Sequence, residues 1–438
     1  MMRPLSRCLP KLQTPSRTLA AQQHNCSCHR IHTTATARSS AKRKQLLKPA
    51  QIESLHIPVM KDEVIHLWAG NNGGNNYLID GTVGFGGHSL AAMETGAKVM
   101  GIDRDSHVLK MAKRRFDAAI DDQTSSSADI NGTESTNDSS EADTDTTNKP
   151  YALHHGSYAD ISPELLQSHS FPSKVDGILL DLGMNTHQIE NPSRGFTFRK
   201  QGPLDMRFDA NGLHRNEVGG SLSAYEVVNT YTVDELASIF DRHADEPYAH
   251  QIAQAIVNWR NEKKKRAGII STLELRYIIE ETITKHCNTQ HRSTHQKDKF
   301  LRYKQIWSTN TKERVRIATK PMQRLIQLYE QDKVKHANHV MRCFQAIRIE
   351  TNDELNHLNF FLSNLSNIHN VLTTGARLVT IAFQPGEDSL VQCSMEKMVD
   401  TGEFRWLTPI EEGLRPTLDE VKVNGKSRTA RLRAVEEK

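Results

Sequence analysis

The chain has 438 residues, more than one ordinary domain requires, so a substantial core with appended parts is expected. Only 37% of the residues are hydrophobic, and no apolar run approaches the roughly 18 residues of a membrane-spanning helix, so no membrane partner is expected. Six scattered cysteines exclude a disulfide-stapled scaffold and fit a reducing compartment, and the net charge of +4 hides blocks of opposite sign.

Residues 1–52 hold ten Lys/Arg and no acid; the first acidic residue is Glu53. Arg, Ser, Thr and Ala are interspersed with Leu and no apolar signal core appears, which reads as a mitochondrial transit peptide, with a basic nucleic-acid-binding tail as the other option. Cys26-Ser27-Cys28-His29 has no second pair at zinc spacing, so no metal is expected there. Tyr77–Asp80 is a short apolar run ending in a carboxylate. The glycine loop Gly81-Thr82-Val83-Gly84-Phe85-Gly86-Gly87 follows, then a helix from His88 to Thr95 stopped by Gly96. A second strand, Ala97–Ile102, ends at Asp103, and Ser106–Phe116 has helical periodicity.

Strand, glycine loop, helix, strand and acid make a βαβ nucleotide unit, in which the second acid can grip a ribose diol. A dinucleotide site should read G-x-G-x-x-G, but Ser89 stands where the third glycine belongs. Asp80 beside the loop would also repel a pyrophosphate. A cationic ligand suits that carboxylate better, and S-adenosylmethionine carries a sulfonium and an ammonium; an ordinary tight turn is the alternative.

Residues 121–149 hold eight acids against Lys149 and little that can be buried, which predicts a disordered surface loop. Tyr151–Gly156 is a further strand with Tyr158 just beyond, placed either to stack on an adenine or to pack in the core. Val175–Leu180 is a buried strand that should carry Asp181 at its carboxyl end, facing the ligand crevice. Residues 223–283 read as almost wholly helical, inserted between two parts of a parallel sheet. Residues 285–340 hold thirteen Lys/Arg and four acids with Tyr303, Trp307 and Tyr329, either an RNA-contacting surface or a solvated helical insertion. His291/His295 and His336/His339 lack the carboxylate or Cys framing of a metal site. Phe344–Leu372 is helix-like, and Arg377–Phe383 is a late strand.

Several strings occur in order: His56-Ile57-Pro58-Val59-Met60, Asp80-Gly81-Thr82 with Gly84–Ser89, Gly101-Ile102-Asp103-Arg104-Asp105, Leu180-Asp181-Leu182-Gly183, Arg194–Phe198, Gly202–Arg207, Phe344–Glu350, Asn352–Leu355 and Ser427–Arg433. On these residues the chain resembles the RsmH/MraW family, which methylates the exocyclic amine of a cytosine in small-subunit ribosomal RNA, and looks most like a mitochondrial member, placed in the matrix. The resemblance implies an α/β fold, a Rossmann-like class I methyltransferase sheet with an inserted α-helical domain. It divides the chain into a leader (1–52), a first methyltransferase part (53–220), a helical domain (221–340) and a second methyltransferase part (341–438).

It also implies S-adenosylmethionine contacts at Gly86, Gly87, His88, Asp103, Tyr158, Asp181 and Gln188, and small-subunit ribosomal RNA or the assembling subunit as partner. The amides of Gly86 and Gly87 would approach the methionine part or sugar. Asp181 is a candidate acceptor for the target amine as well as a cofactor contact, with Asn185 as the other polar partner. Phe196 or Phe198 is expected either to stack on an extruded base or to pack in the core. Arg194, Arg199 and Arg207 are candidates for phosphates or for ion pairs. The chain departs from the family at Asn185-Thr186, where Ser-Ser is usual, and at Gln384, where a histidine is usual, so an assembly factor with the fold but little activity is the second expectation.

Overall fold

A computed structural model describes residues 57–70, 76–128, 149–209, 222–262, 268–286, 326–327, 329–331, 334–364 and 370–438. The leader, the bulk of the acidic segment, and most of the basic stretch, with Tyr303, Trp307, His291 and His295, lie outside the described residues. No described helix is long and apolar enough to cross a membrane.

Seven strands form one sheet in the order β3-β2-β1-β4-β5-β7-β6. They are β1 (Tyr77–Asp80), β2 (Lys98–Asp103), β3 (Tyr151–His155), β4 (Val175–Asp181), β5 (Leu372–Ala382), β6 (Phe404–Trp406) and β7 (Arg431–Glu437). The first five run parallel, while β7 is antiparallel to both β5 and β6. Strand order reverses between β1 and β4, and at such a switch point the flanking loops diverge and leave a crevice beyond the carboxyl ends.

Both sheet faces are covered, which explains why β1 and β4 are apolar runs without alternation. Helices α1 (Lys61–Trp68) and α2 (Gly87–Glu94) cover one face, where Trp68, Leu78, Val99, Leu179 and Leu432 share a core. On the other face Ile79, Met100 and Leu180 meet Leu358, Phe361 and Met395. The glycine loop enters α2 through Gly86 at φ 73°, and a Cβ there would lie 2.3 Å from the Phe116 ring. Only glycine fits that left-handed turn against a buried aromatic.

After β3 and β4, two short helices, α3 (Pro163–Ser168) and α4 (Thr186–Glu190), flank the second crossing. A separate helical core follows, made by α5 (Ala224–Thr230), α6 (Val233–Ala244), α7 (Ala249–Glu262), α8 (Thr272–His286) and α9 (Ala337–Asn352). Capping boxes at Ser223/Glu226 and Thr232/Glu235 set the starts of α5 and α6. The same apolar cluster draws in Phe196, Leu204 and Met206 on one side and Val340 to Ile347 on the other. Tyr329, a candidate RNA contact by sequence, is instead buried there: its hydroxyl donates to Glu280 at 2.8 Å and the Arg276 guanidinium lies 4.4 Å from its ring centre.

Among the described residues, the helix-like stretch from Phe344 is broken at Asp353. Asp353 takes φ 52° and ends α9 before α10 (Glu354–Ser363) begins. Asn352 fixes the break by donating to Met206 O and accepting from the Phe208 amide, both at 2.7 Å. The late strand β5 starts earlier than the apolar run suggested, at Leu372, and α11 (Pro385–Asp400) follows it.

Candidate functional site

The crevice at the switch point opens into a cavity of about 620 Å³. Its floor is the carboxyl rim of β1, β2 and β4, and its walls come from α10, the start of α11 and the segment 423–426. Gly87, His88, Asp103, Tyr158, Asp181, Asn185 and Gln188 all line it. Gly86 does not; its amide donates to Val83 O at 2.7 Å, so it shapes the turn and has no N–H to offer a ligand.

The carboxylates of the rim are treated differently by their surroundings. Asp80 is buried beneath the loop, where Ser89 Oγ donates to it at 2.6 Å and the Thr82 amide at 3.2 Å. The residue that breaks the dinucleotide pattern is therefore the one that satisfies Asp80. Asp103 accepts the Gly84 amide at 3.0 Å and the Asp105 amide at 2.8 Å, which aims its carboxylate into the cavity. Asp181 has no side-chain hydrogen bond among the described residues; His88 Nδ1 stands 3.7 Å from it, beyond bonding distance. His88 Nε2 is 2.9 Å from the Val59 carbonyl, which can only accept, so Nε2 carries the proton and Nδ1 presents a lone pair towards Asp181.

Burial raises all of these acids. Asp80 rises to about 6. Asp103 rises to about 7, with the neighbouring Asp105 and Asp80 charges adding to burial. Asp181 rises to about 8, helped by the charges of Asp80 and Glu387. Burial lowers His88 to about 4, so it is neutral at physiological pH. The one buried cation on the walls, Arg348, is already engaged by Glu354 at 2.8 and 2.9 Å and lies 3.9 Å from Glu387. Excess negative charge in a low-dielectric pocket is stabilised by a ligand that brings positive charge. The donor set therefore fits a cation, with hydrogen-bonding hydroxyls near Asp103.

Arg348 and Glu354 lie in the strings Phe344–Glu350 and Asn352–Leu355, but neither they nor Glu387 stand out as site residues from sequence. Their convergence depends on the break at Asp353, which folds Glu354 back onto Arg348. Phe208, which stacks on Phe196 at 5.8 Å, is a further aromatic on the cavity wall that sequence reasoning passed over. Tyr158 is half-buried, edge-on to Phe361 at 5.7 Å; burial and the Glu354 charge push its phenol up.

Several expected substrate residues have other work. Phe196 is buried in the helical core, Phe198 packs edge-on against Phe344 at 5.4 Å, and neither lines the cavity. Arg194 is engaged within the fold: it bonds Asp105 at 2.6 Å and the carbonyls of Arg207 and Phe208 at 2.9 Å each. Arg207 pairs with its neighbour Asp205, while Arg199 is exposed. Asn185 caps α4, its Oδ1 accepting the Gln188 amide at 2.9 Å, which fixes that oxygen's orientation and occupies one of its two lone pairs. Gln188 donates to Asp105 at 3.0 Å. Gln384 accepts from Gln345 at 2.7 Å and so ties β5 to the helical domain. His339 pairs with Glu246 at 2.7 Å, and no group of three or more potential metal ligands is found among the described residues.

Asp105 is thus a buried anion whose cation is Arg194. Arg194→Ala should destabilise the fold by about 3 kcal/mol, because it strands that charge. Urea denaturation is the check, and a loss of RNA affinity at unchanged stability would contradict the assignment.

The profile of the MraW methylase family matches residues 53–438. Ribosomal RNA small subunit methyltransferase H of Thermotoga neapolitana is 32% identical over 384 residues, which covers 87% of this chain and 95% of that protein. The protein of the same name from Elusimicrobium minutum is 30% identical over 384 residues, 87% of this chain and 98% of its own length. A third, from Thermosipho africanus, is 30% identical across 88% of this chain and 98% of its own. With the acidic crevice at the switch point of a β3-β2-β1-β4-β5-β7-β6 sheet and a family match over residues 53–438, the chain belongs to the MraW methylase family.

Proposed function

We propose that this chain methylates the exocyclic N4 amine of a cytosine in small-subunit ribosomal RNA, using S-adenosylmethionine, in the mitochondrial matrix. The observation that carries the chemistry is Asp181, a carboxylate on the cavity floor with no hydrogen-bond donor of its own among the described residues. The relatives' shared name supports the RNA substrate. The acid-free residues before Glu53, outside the matched family span, support the location.

When bound, S-adenosylmethionine would supply an electrophilic methyl group on a cationic sulfur. Asp103 would hold its ribose hydroxyls, Tyr158 would flank the adenine, and Gly87 and His88 would border the amino-acid part. A cytosine amine is a weak nucleophile because its lone pair is conjugated with the ring. Asp181, accepting one amine N–H, favours the pyramidal nitrogen and takes the proton that becomes acidic on methylation. The neutral His88 beside it, fixed by Val59, adds no competing positive charge.

The wild-type protein should transfer labelled methyl to small-subunit RNA or assembly intermediates, at a cytosine N4 when the product is mapped. Asp181→Asn should slow single-turnover methylation by about a hundredfold or more at saturating donor. Asp103→Ala should weaken donor affinity about tenfold, the worth of hydrogen bonds to a charged group. Donor binding without any transfer would favour an assembly factor that keeps the fold, the reading to which the engaged side chains of Asn185 and Gln384 point. A fusion of residues 1–52 to a reporter should enter mitochondria; a reporter left in the cytosol removes that part of the reading.

Titration gives an independent test. Asp103 and Asp181, at about 7 and 8, are largely protonated below those values in the ligand-free site. A cation favours their ionised forms and lowers both, so donor binding releases protons and affinity rises with pH up to about 8. Calorimetry in buffers of different ionisation heat should show that release between pH 6 and 8. Affinity independent of pH across that window would remove the electrostatic account.

A further inference from the structure

One element at the cavity mouth is not explained by packing. Helix α12 (Leu418–Val423) has no buried residue. Leu418 is 81% exposed and Val423 75%. Polar ties hold the segment in place: the Met60 amide donates to Glu420 at 2.8 Å, Asn424 donates to Ile57 O at 3.2 Å, and the Lys426 ammonium donates to Thr186 Oγ1. Val423 and Lys426 nonetheless line the cavity, together with Ile57 and Ile189, which are 50% and 37% exposed. Three apolar side chains from three distant segments thus stand at one rim. An apolar patch kept in water around a cavity mouth marks a contact surface.

Charge is sorted along the same axis. The floor carries the carboxylates Asp103 and Asp181, while on the inner wall Glu354 and Glu387 are met by Arg348. On the outer segment Lys426 and Arg428 are exposed, while Lys422 is paired with Asp419. A phosphate is repelled by that floor and attracted by that lip; a neutral base can pass where its phosphate cannot. This arrangement suits a single-stranded nucleotide that inserts its base and leaves its backbone outside.

We propose that residues 417–428 form the RNA-contacting wall of the mouth. Val423, Ile57 and Ile189 pack against nucleobases at the entrance, and Lys426 and Arg428 take phosphates of the same strand. The proposal deepens the reading of the chain as an RNA methylase and rests on it. It assigns the strand-gripping role to this segment, in place of Phe196, Phe198 and Arg194, which the fold uses internally.

The test compares the full chain with Lys426→Gln/Arg428→Gln and with Val423→Ser, measuring binding of a single-stranded small-subunit RNA fragment by anisotropy across a salt series, with donor binding and methylation KM and kcat alongside. The double variant should lose roughly tenfold in RNA affinity, and its log-affinity slope against log salt should fall by about 1.4, the contribution of two phosphate contacts on a single strand. Val423→Ser should raise the KM for RNA and leave the salt slope unchanged. Val423→Ser should melt like wild type, since α12 buries no residue, and the double variant should lose little more than the Lys426–Thr186 tie, so a melting curve accompanies each binding measurement. Wild-type RNA affinity and salt slope in the double variant would overturn the proposal, as would an effect confined to a protein-containing subunit particle and absent on naked RNA. If wild type transfers no methyl yet binds RNA through this segment, the methylation reading fails and the surface stands; methylation with an unchanged RNA KM in both variants has the reverse meaning.

Discussion

Three carboxylates at one sheet edge are the constraint around which this molecule is arranged. Parallel strands end together at their carboxyl rim, so Asp80, Asp103 and Asp181 converge wherever β1, β2 and β4 are neighbours. The glycine loop and its neighbours serve two of them: Ser89 of α2 and the Thr82 amide satisfy Asp80, and the amides of Gly84 and Asp105 satisfy Asp103. Asp181 is left facing a neutral imidazole across 3.7 Å. A buried acid without a donor is costly to ionise, and that cost is what makes the site responsive to a cation.

The helical domain is fastened to the sheet near this rim. Asp105, two residues beyond the Asp103 strand end, accepts from Gln188 and Arg194 and so binds the loop after β2 to the segment after β4. From the far side, Asn352 joins α9 to Met206 and Phe208, and the break beside it brings Glu354 onto Arg348. Gln345 and Gln384 add a direct bond between α9 and the end of β5. Polar groups from both units therefore share the cavity wall, and neither unit can shift without disturbing partners that line it.

Much of this was legible in the residues. The βαβ start, the acids at Asp103 and Asp181 and the helical run 223–283 follow from local apolar pattern, glycine spacing and strand-end position, which are short-range properties. The expected substrate side chains that are engaged inside the fold share a common feature. Phe196, Phe198 and Arg194 have residue types suited to a base or a phosphate, yet their partners Phe208, Phe344 and Asp105 are 12, 146 and 89 positions away, and only the tertiary fold brings them together. Gly86 illustrates the finer case: its place in the loop was evident, but the direction of its amide depends on a turn closed on Val83. Arg348, Glu354 and Glu387 were missed because a helix break at an ordinary aspartate leaves no strong mark in sequence.

The position of β7 has a consequence for biogenesis. It lies between β5 and β6, so β6 has no strand partner until Arg431–Glu437 has been synthesised. Arg433, wholly buried, must then meet Asp388 on the start of α11, a residue made 45 positions earlier. Sheet closure is thereby postponed until Arg431–Glu437 has left the peptidyl-transferase centre. A nonsense codon anywhere in 407–430 would leave β5 with an open edge, a template for intermolecular strand pairing, and would yield an aggregation-prone product instead of a shortened enzyme.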